Sequence, residues 1–245
     1  MAPNLVFASG VLIPQRIAGL DYFNGLESQY PPATTLFPAV SVLGSVQLRA
    51  QELAARINQK FPAGEIHVIA HSMGGLDARC MLAQNMLGLA AAGRVVSLST
   101  ISTPHQGSPV ANLLLGEPDG LDFPFNNLLA QFASVNVHAI VDLTTTGAPG
   151  FKDKDPVHGI RYFAYAGAGL GSPLLFATQV YIQTREGAND GMVSVKSATW
   201  PTQLAESPWD ADHFGEVGYA LNVPDLTTPF PFLATIARVV QRATS

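Results

Sequence analysis

The stretch Ile66-His67-Val68-Ile69-Ala70-His71-Ser72-Met73-Gly74-Gly75 limits what this chain can fold into more than any other. Of its first five residues all but His67 are apolar, the pattern of a strand covered on both faces in a parallel sheet. The residues from Met73 read as a helix, to Leu87. A strand that passes into a helix through one serine needs a sharp turn, and such a turn tolerates only small neighbours. The usual pattern for a nucleophile on this kind of elbow is G-x-S-x-G. Here it reads Ala70-His71-Ser72-Met73-Gly74, and alanine adds only a methyl where the first glycine would stand.

The rest of the chain repeats the strand–helix alternation, which predicts an α/β fold around a mostly parallel sheet with helices on both faces. Leu5-Val6-Phe7-Ala8 is a short apolar strand closed by Ser9-Gly10. Residues 35–43 are a second candidate, interrupted by Pro38, which has no N–H for a ladder. Ser45 is placed to cap a helix with Val46, Ala50, Leu53 and Ile57 on one face, stopped by Pro62 and Gly64. Further strands are expected over 94–101 and 161–166, and a closing helix over 232–242. Residues 109–159 break the alternation: Leu113, Leu114, Leu115, Phe123, Phe125, Leu128, Leu129 and Phe132 crowd between Pro118, Gly120, Pro124 and Gly147. That insertion reads either as helical core or as a mobile lid with an apolar underside.

Composition narrows the function classes. The chain has 245 residues, 47% hydrophobic and 13% charged, enough for one domain with a large core rather than a disordered segment. A net charge of −5 and the absence of any basic run argue against a nucleic-acid partner. Residues 162–184 are uncharged but broken by glycines, Pro173 and glutamines, so they read as buried strand and loop rather than a membrane span. Cys80 is the single cysteine and reads as a small core residue. The first residues lack the basic and apolar regions of a signal peptide, which fits an intracellular chain or a mature secreted form equally.

A serine hydroxyl becomes a nucleophile when an imidazole takes its proton and a carboxylate orients that imidazole. On a strand–helix elbow of this kind the acid follows the serine and the base follows the acid. His67 and His71 precede Ser72, and His105 comes too early for an intervening acid. His138 and His158 fall in the insertion, where solvated or packing roles suffice. His213, in WDADHFGEVG, is left as the base. Asp190, in GANDGMVS, is the favoured acid, with Asp210 and Asp212 as alternatives on the histidine's own loop. The N–H of Met73, at the start of the helix, and that of Val11, after Gly10, are the candidate donors of an oxyanion hole.

The segments AGLDYFNGL, AHSMGGLDAR, STPHQGS, NDGMVSVKS and DADHFGEVG together resemble bacterial lipase family I, the Pseudomonas and Burkholderia type, in order and rough spacing. The AHSMG form is also similar to that of the small Bacillus lipases. The resemblance implies one α/β-hydrolase domain over 1–245, with 109–159 as its lid-like insertion. It also implies hydrolysis of carboxylic esters with Ser72 as nucleophile, Asp190 as acid and His213 as base. Three departures stand out. Ser9-Gly10 replaces the family's His-Gly before the oxyanion residue, and the family's cysteine pair is missing. The family's structural Ca²⁺ uses an aspartate two residues after the histidine and another about twenty before the acid. Here the first position is Gly215, and no acidic residue stands near the second, so the calcium site is expected to be lost and no cofactor is expected.

The expected partner is therefore an ester with an apolar acyl chain, with transient contact to a lipid interface and no membrane span. A shortened cover would shift preference toward small soluble esters or polyesters. The alternatives are a polyester depolymerase or acyltransferase with the same triad, and a non-catalytic domain that binds an apolar ligand.

Overall fold

A computed structural model describes residues 3–11, 16–17, 20–42, 44–116, 137–147, 155–169, 172–201, 203–219 and 229–245. The described strands are β1 (Asn4–Ala8), β2 (Arg16–Ile17), β3 (Leu20–Asp21), β4 (Thr35–Leu36), β5 (Ile66–His71), β6 (Val95–Ile101) and β7 (Arg161–Tyr165). Five of them form one sheet in the order β4-β1-β5-β6-β7, with every pairing parallel. From β1 the chain goes outward to β4 and then returns past β1 to build β5, β6 and β7. The winding direction reverses between β1 and β5, so the crevice at their carboxyl ends is where an open α/β sheet admits a ligand.

Alternation along the strands divides the interior in two. Val6, Ala8, Val68, Ala70 and Leu98 face one way, against helices α1 (Val46–Lys60) and α2 (Met73–Ala83). Leu5, Phe7, Ile69, Ile101 and Tyr165 face the other, against Tyr22, Phe23 and Leu26. That second face is also covered by the C-terminal helix over Phe232–Thr244, whose buried Phe232, Ile236 and Val239 form one stripe. Helices thus cover both faces, as the sequence predicts.

Local chemistry explains most boundaries. Ser45 caps α1 by accepting the Leu48 N–H at 3.3 Å, and Val46, Ala50, Leu53 and Ile57 are all buried. Asp142 adds a carboxylate at the same helix end, accepting the Val46 N–H at 2.7 Å. The strand expected over 35–43 shrinks to two residues, ending two positions before Pro38. Helix α2 stops at Ala83 rather than Leu87, because Asn85 (φ 48°) and Leu87 (φ 51°) turn left-handed.

The remaining helices are α3 (Pro109–Leu114), α4 (Val137–Leu143), α5 (Phe176–Glu186), α6 (Val195–Ala198) and α7 (Phe232–Thr244). Helix α5 corrects the reading of residues 162–184 as strand and loop. Its buried stripe is Thr178, Tyr181 and Ile182, but its outer face carries Phe176 and Val180 instead of charges, which hides the helical period. Among the described residues no helix is long and apolar enough to cross a membrane. Of the insertion, α3 and α4 pack on each other, and Val110, Ala111, Ala139 and Ile140 are buried as ordinary core. Phe123, Phe125, Leu128, Leu129 and Phe132 lie outside the described residues.

Leu53 is fully buried where α1 meets the sheet. Leu53→Ala should cost about 2–5 kcal/mol in denaturant unfolding; a loss below about 1 kcal/mol would show that the α1 face is not part of the cooperative core.

Candidate active site

Ser72 follows β5 directly and adopts φ 56°, ψ −133°, a conformation that side chains rarely occupy and that costs about 1–3 kcal/mol. Neighbouring strands hold it there. Its N–H donates to the Ile101 carbonyl at 2.9 Å, and its own carbonyl accepts the Thr103 hydroxyl at 2.9 Å. The need for small residues is literal. A Cβ on Gly74 would sit 2.6 Å from the carbonyl oxygens of both Ala8 and Ser9. Ala70 pairs with Ala8 on one side and Thr100 on the other, so its methyl is accommodated. Met73 opens α2, where backbone N–H groups have no partner within the helix.

His213 and Asp190 meet Ser72 in the order that the chain predicts. His213 Nε2 lies 3.1 Å from Ser72 Oγ, and Nδ1 lies 2.6 Å from Asp190 Oδ2. Asp190 is fully buried, and its Oδ1 accepts the N–H groups of Met192 at 2.8 Å and Val193 at 2.7 Å. The main chain adds a bond from His213 N–H to the Asp190 carbonyl at 3.0 Å. With Nδ1–H directed at a carboxylate, Nε2 is left to accept the serine proton. Neither alternative acid takes part: Asp210 is exposed, and Asp212 bonds to the backbone at Ser172 and Gly215. His138 and His158 are exposed, His67 bonds the Ser97 hydroxyl, and His105 lies near Thr100 and Arg79 away from this cluster.

The departure at Ser9-Gly10 raises the question of what supports the loop after β1. Arg49 answers part of it. Its guanidinium donates to the carbonyls of Ser9 at 2.8 Å, Gly10 at 3.1 Å and Ser41 at 2.8 Å, while Nε bonds Asp77 at 2.8 Å. An arginine on the buried stripe of α1 is the signal that could have revealed it. Tyr22 supplies the rest: its hydroxyl is 2.7 Å from His71 Nδ1 and would lie 2.6 Å from a Cβ on Gly10. Val11 follows that glycine and is buried.

His71 Nε2 continues to Glu216 Oε2 at 3.0 Å, and Glu216 Oε1 accepts the Ser102 hydroxyl at 2.6 Å. Burial and the neighbouring Asp190 carboxylate push Glu216 well above the usual carboxylate range. Burial and the adjacent His213 push His71 well below the usual imidazole value. Both shifts disfavour the charged form of the group concerned, as burial does. Chain order sets His71 aside as the base and is silent on this network.

Among the described residues, the donor atoms of His71, His213 and Glu216 lie within 4.8 Å of one another, close enough to hold a metal. Each ring nitrogen of both histidines is already engaged, so the arrangement reads as a hydrogen-bond network.

Residues 46–140 match the PGAP1-like alpha/beta domain family. The chain is 28% identical to triacylglycerol lipase 2 of Saccharomyces cerevisiae, over 90% of this chain and 69% of the yeast protein. It is 23% identical to a triacylglycerol lipase of Vibrio cholerae, over 91% of this chain and 81% of that one. Its structure superposes on a mature lipase of Bacillus licheniformis with a TM-score of 0.74 and 23% identity, covering 98% of this chain and 91% of the other.

Two outcomes follow from the geometry. Gly10→Ala would drive a methyl against Tyr22 and 2.8 Å from Ser72 Cβ, so any reaction at Ser72 should slow about 10²–10³-fold with KM little changed. An unchanged rate would remove this loop from the site. Asp77, fully buried, is raised to about 6 from 3.8, mainly because burial outweighs the pull of Arg49. A raised folded-state value means that stability falls as pH rises through the window from about 4 to 6. Between pH 4.5 and 7 the loss should be about 2 kcal/mol, and it should vanish in Asp77→Asn when the two proteins are compared by urea unfolding.

Proposed function

We propose that this chain, an α/β-hydrolase in fold, is a serine carboxylic-ester hydrolase of the lipase and esterase kind. The observation that carries the reading is the continuous bond series Ser72 Oγ, His213, Asp190 at the carboxyl end of β5. It is supported by the triacylglycerol lipases to which the chain is similar over nine-tenths of its length. The finer assignment to the Pseudomonas and Burkholderia type belongs to this reading and rests on the motifs alone.

Ser72 Oγ attacks the ester carbonyl while His213 Nε2 takes its proton, giving a tetrahedral oxyanion. The N–H groups of Met73 and Val11 stabilise that charge from opposite sides of the β1–β5 crevice. Collapse breaks the bond to the alcohol, which leaves with the proton from His213, and Ser72 holds the acyl group. Water, activated by the same imidazole, then releases the acid and restores the serine. Asp190 keeps Nδ1–H in place and stabilises the imidazolium in both steps. Every group that the reaction needs comes from the chain, so no cofactor is assigned. The substrate is an ester with an apolar acyl chain.

Ser72→Ala should abolish both hydrolysis of nitrophenyl esters and covalent labelling by an organophosphate. A wild-type protein that takes no label would end the proposal. Asp190→Asn should lower kcat about 10³–10⁴-fold through the wrong imidazole tautomer.

A further inference from the structure

His213 belongs to no helix or strand, yet its ring is held in line with Ser72 and Asp190. The chain leading to it runs alongside the segment after β7. Trp209 N–H donates to the Ala166 carbonyl at 2.8 Å, Ala168 N–H to Trp209 at 2.8 Å and Gly169 N–H to Ala211 at 3.0 Å. Asp212 extends this strip with its side chain. Oδ2 accepts the Ser172 N–H at 2.7 Å, and Oδ1 accepts the Gly215 N–H, beyond His213, also at 2.7 Å. The carboxylate is 5% exposed, and each of its oxygens receives a backbone donor. One side chain thus fixes the residues on both sides of His213 to each other and to Ser172.

The calcium that members of the resembled family hold does not fit these residues. Gly215 stands at one of its two carboxylate positions, and no acidic residue stands near the other. Asp212, the acidic side chain bonded to Gly215, already faces two N–H dipoles whose positive ends would repel a cation.

We infer that Asp212 is a positioning residue that closes the His213 loop on protein donors alone, joining directly the two stretches of chain that a bound cation would otherwise bridge. The inference rests on reading His213 as the base. A buried carboxylate with two N–H partners restrains a turn strongly, since charge-assisted hydrogen bonds are about twice as strong as neutral ones. A displacement of the imidazole by about 1 Å suffices to cost about 100-fold in rate.

The test compares wild type, Asp212→Asn and Asp212→Ala on a soluble nitrophenyl ester, with circular dichroism to establish folding. The far-downfield proton resonance of the His213–Asp190 bond provides a readout that does not depend on turnover. Asp212→Ala should lose about 10- to 100-fold in kcat with KM within about twofold, and the resonance should broaden or vanish while the fold persists. Asp212→Asn keeps one acceptor and should fall between; it decides the matter if the alanine variant does not fold. Wild type dialysed against EDTA should keep its full rate and gain nothing from added CaCl₂. Wild-type kcat and resonance in a folded variant would overturn the inference, as would activity lost to EDTA and restored by Ca²⁺ but not Mg²⁺. If wild type hydrolyses no ester and takes no organophosphate, the ester-hydrolase reading fails, and the resonance still tests what Asp212 positions.

Discussion

The backbone of Ser72 is the constraint from which the rest of the site follows. A non-glycine residue at φ 56° persists only where its surroundings determine it from several directions, and here β1, β6 and the start of α2 do so together. The same requirement explains Gly74, which leaves room for the carbonyls at the end of β1. It also explains why two alanines, Ala8 and Ala70, face each other across the β1–β5 pair. Once the turn is imposed, the serine hydroxyl and the first N–H groups of α2 have one place to point, the crevice where the sheet reverses its winding.

Two sets of buried polar bonds then hold the surroundings of that crevice from opposite sides. Arg49 and Tyr22 grip the loop after β1 through its carbonyls and its glycine. Asp190 and Glu216 hold the histidine side, and His71 links the two through Tyr22 and Glu216. Buried ion pairs such as Arg49–Asp77 are poor sources of net stability, because desolvation offsets the attraction. The upward shift of Asp77 despite its direct contact with an arginine makes that balance visible. The pair is better understood as an anchor that aims a guanidinium at two loop carbonyls.

Much of this was legible from residues alone where periodicity or chain order carries the information. β1, β5 and β6 follow from apolar runs, and α1 from Ser45 and its buried stripe. Chain order points to Ser72 and His213 and leaves Asp190 as the favoured of three acids, and the structure brings these three side chains together. Residues that act through distant contacts were not legible. Tyr22 reaches His71 across 49 positions and Glu216 reaches it across 145, separations that no local pattern encodes. Helix α5 was obscured for a different reason. A helix shows its period through contrast between faces, and apolar Phe176 and Val180 on the outer face remove that contrast.

The separation of the proposed triad along the chain has a consequence for how the molecule is made. Ser72 and His213 are 141 positions apart, with Asp190 a further constraint only 23 positions before the histidine. On the ribosome, β1, β5, β6 and the serine elbow are all synthesised long before either partner emerges. A nascent chain that has assembled its nucleophile strand still has a serine with ordinary alcohol chemistry. Reactivity arrives last, with the loop that brings the base, so the growing polypeptide is chemically silent until almost its whole sheet is in place.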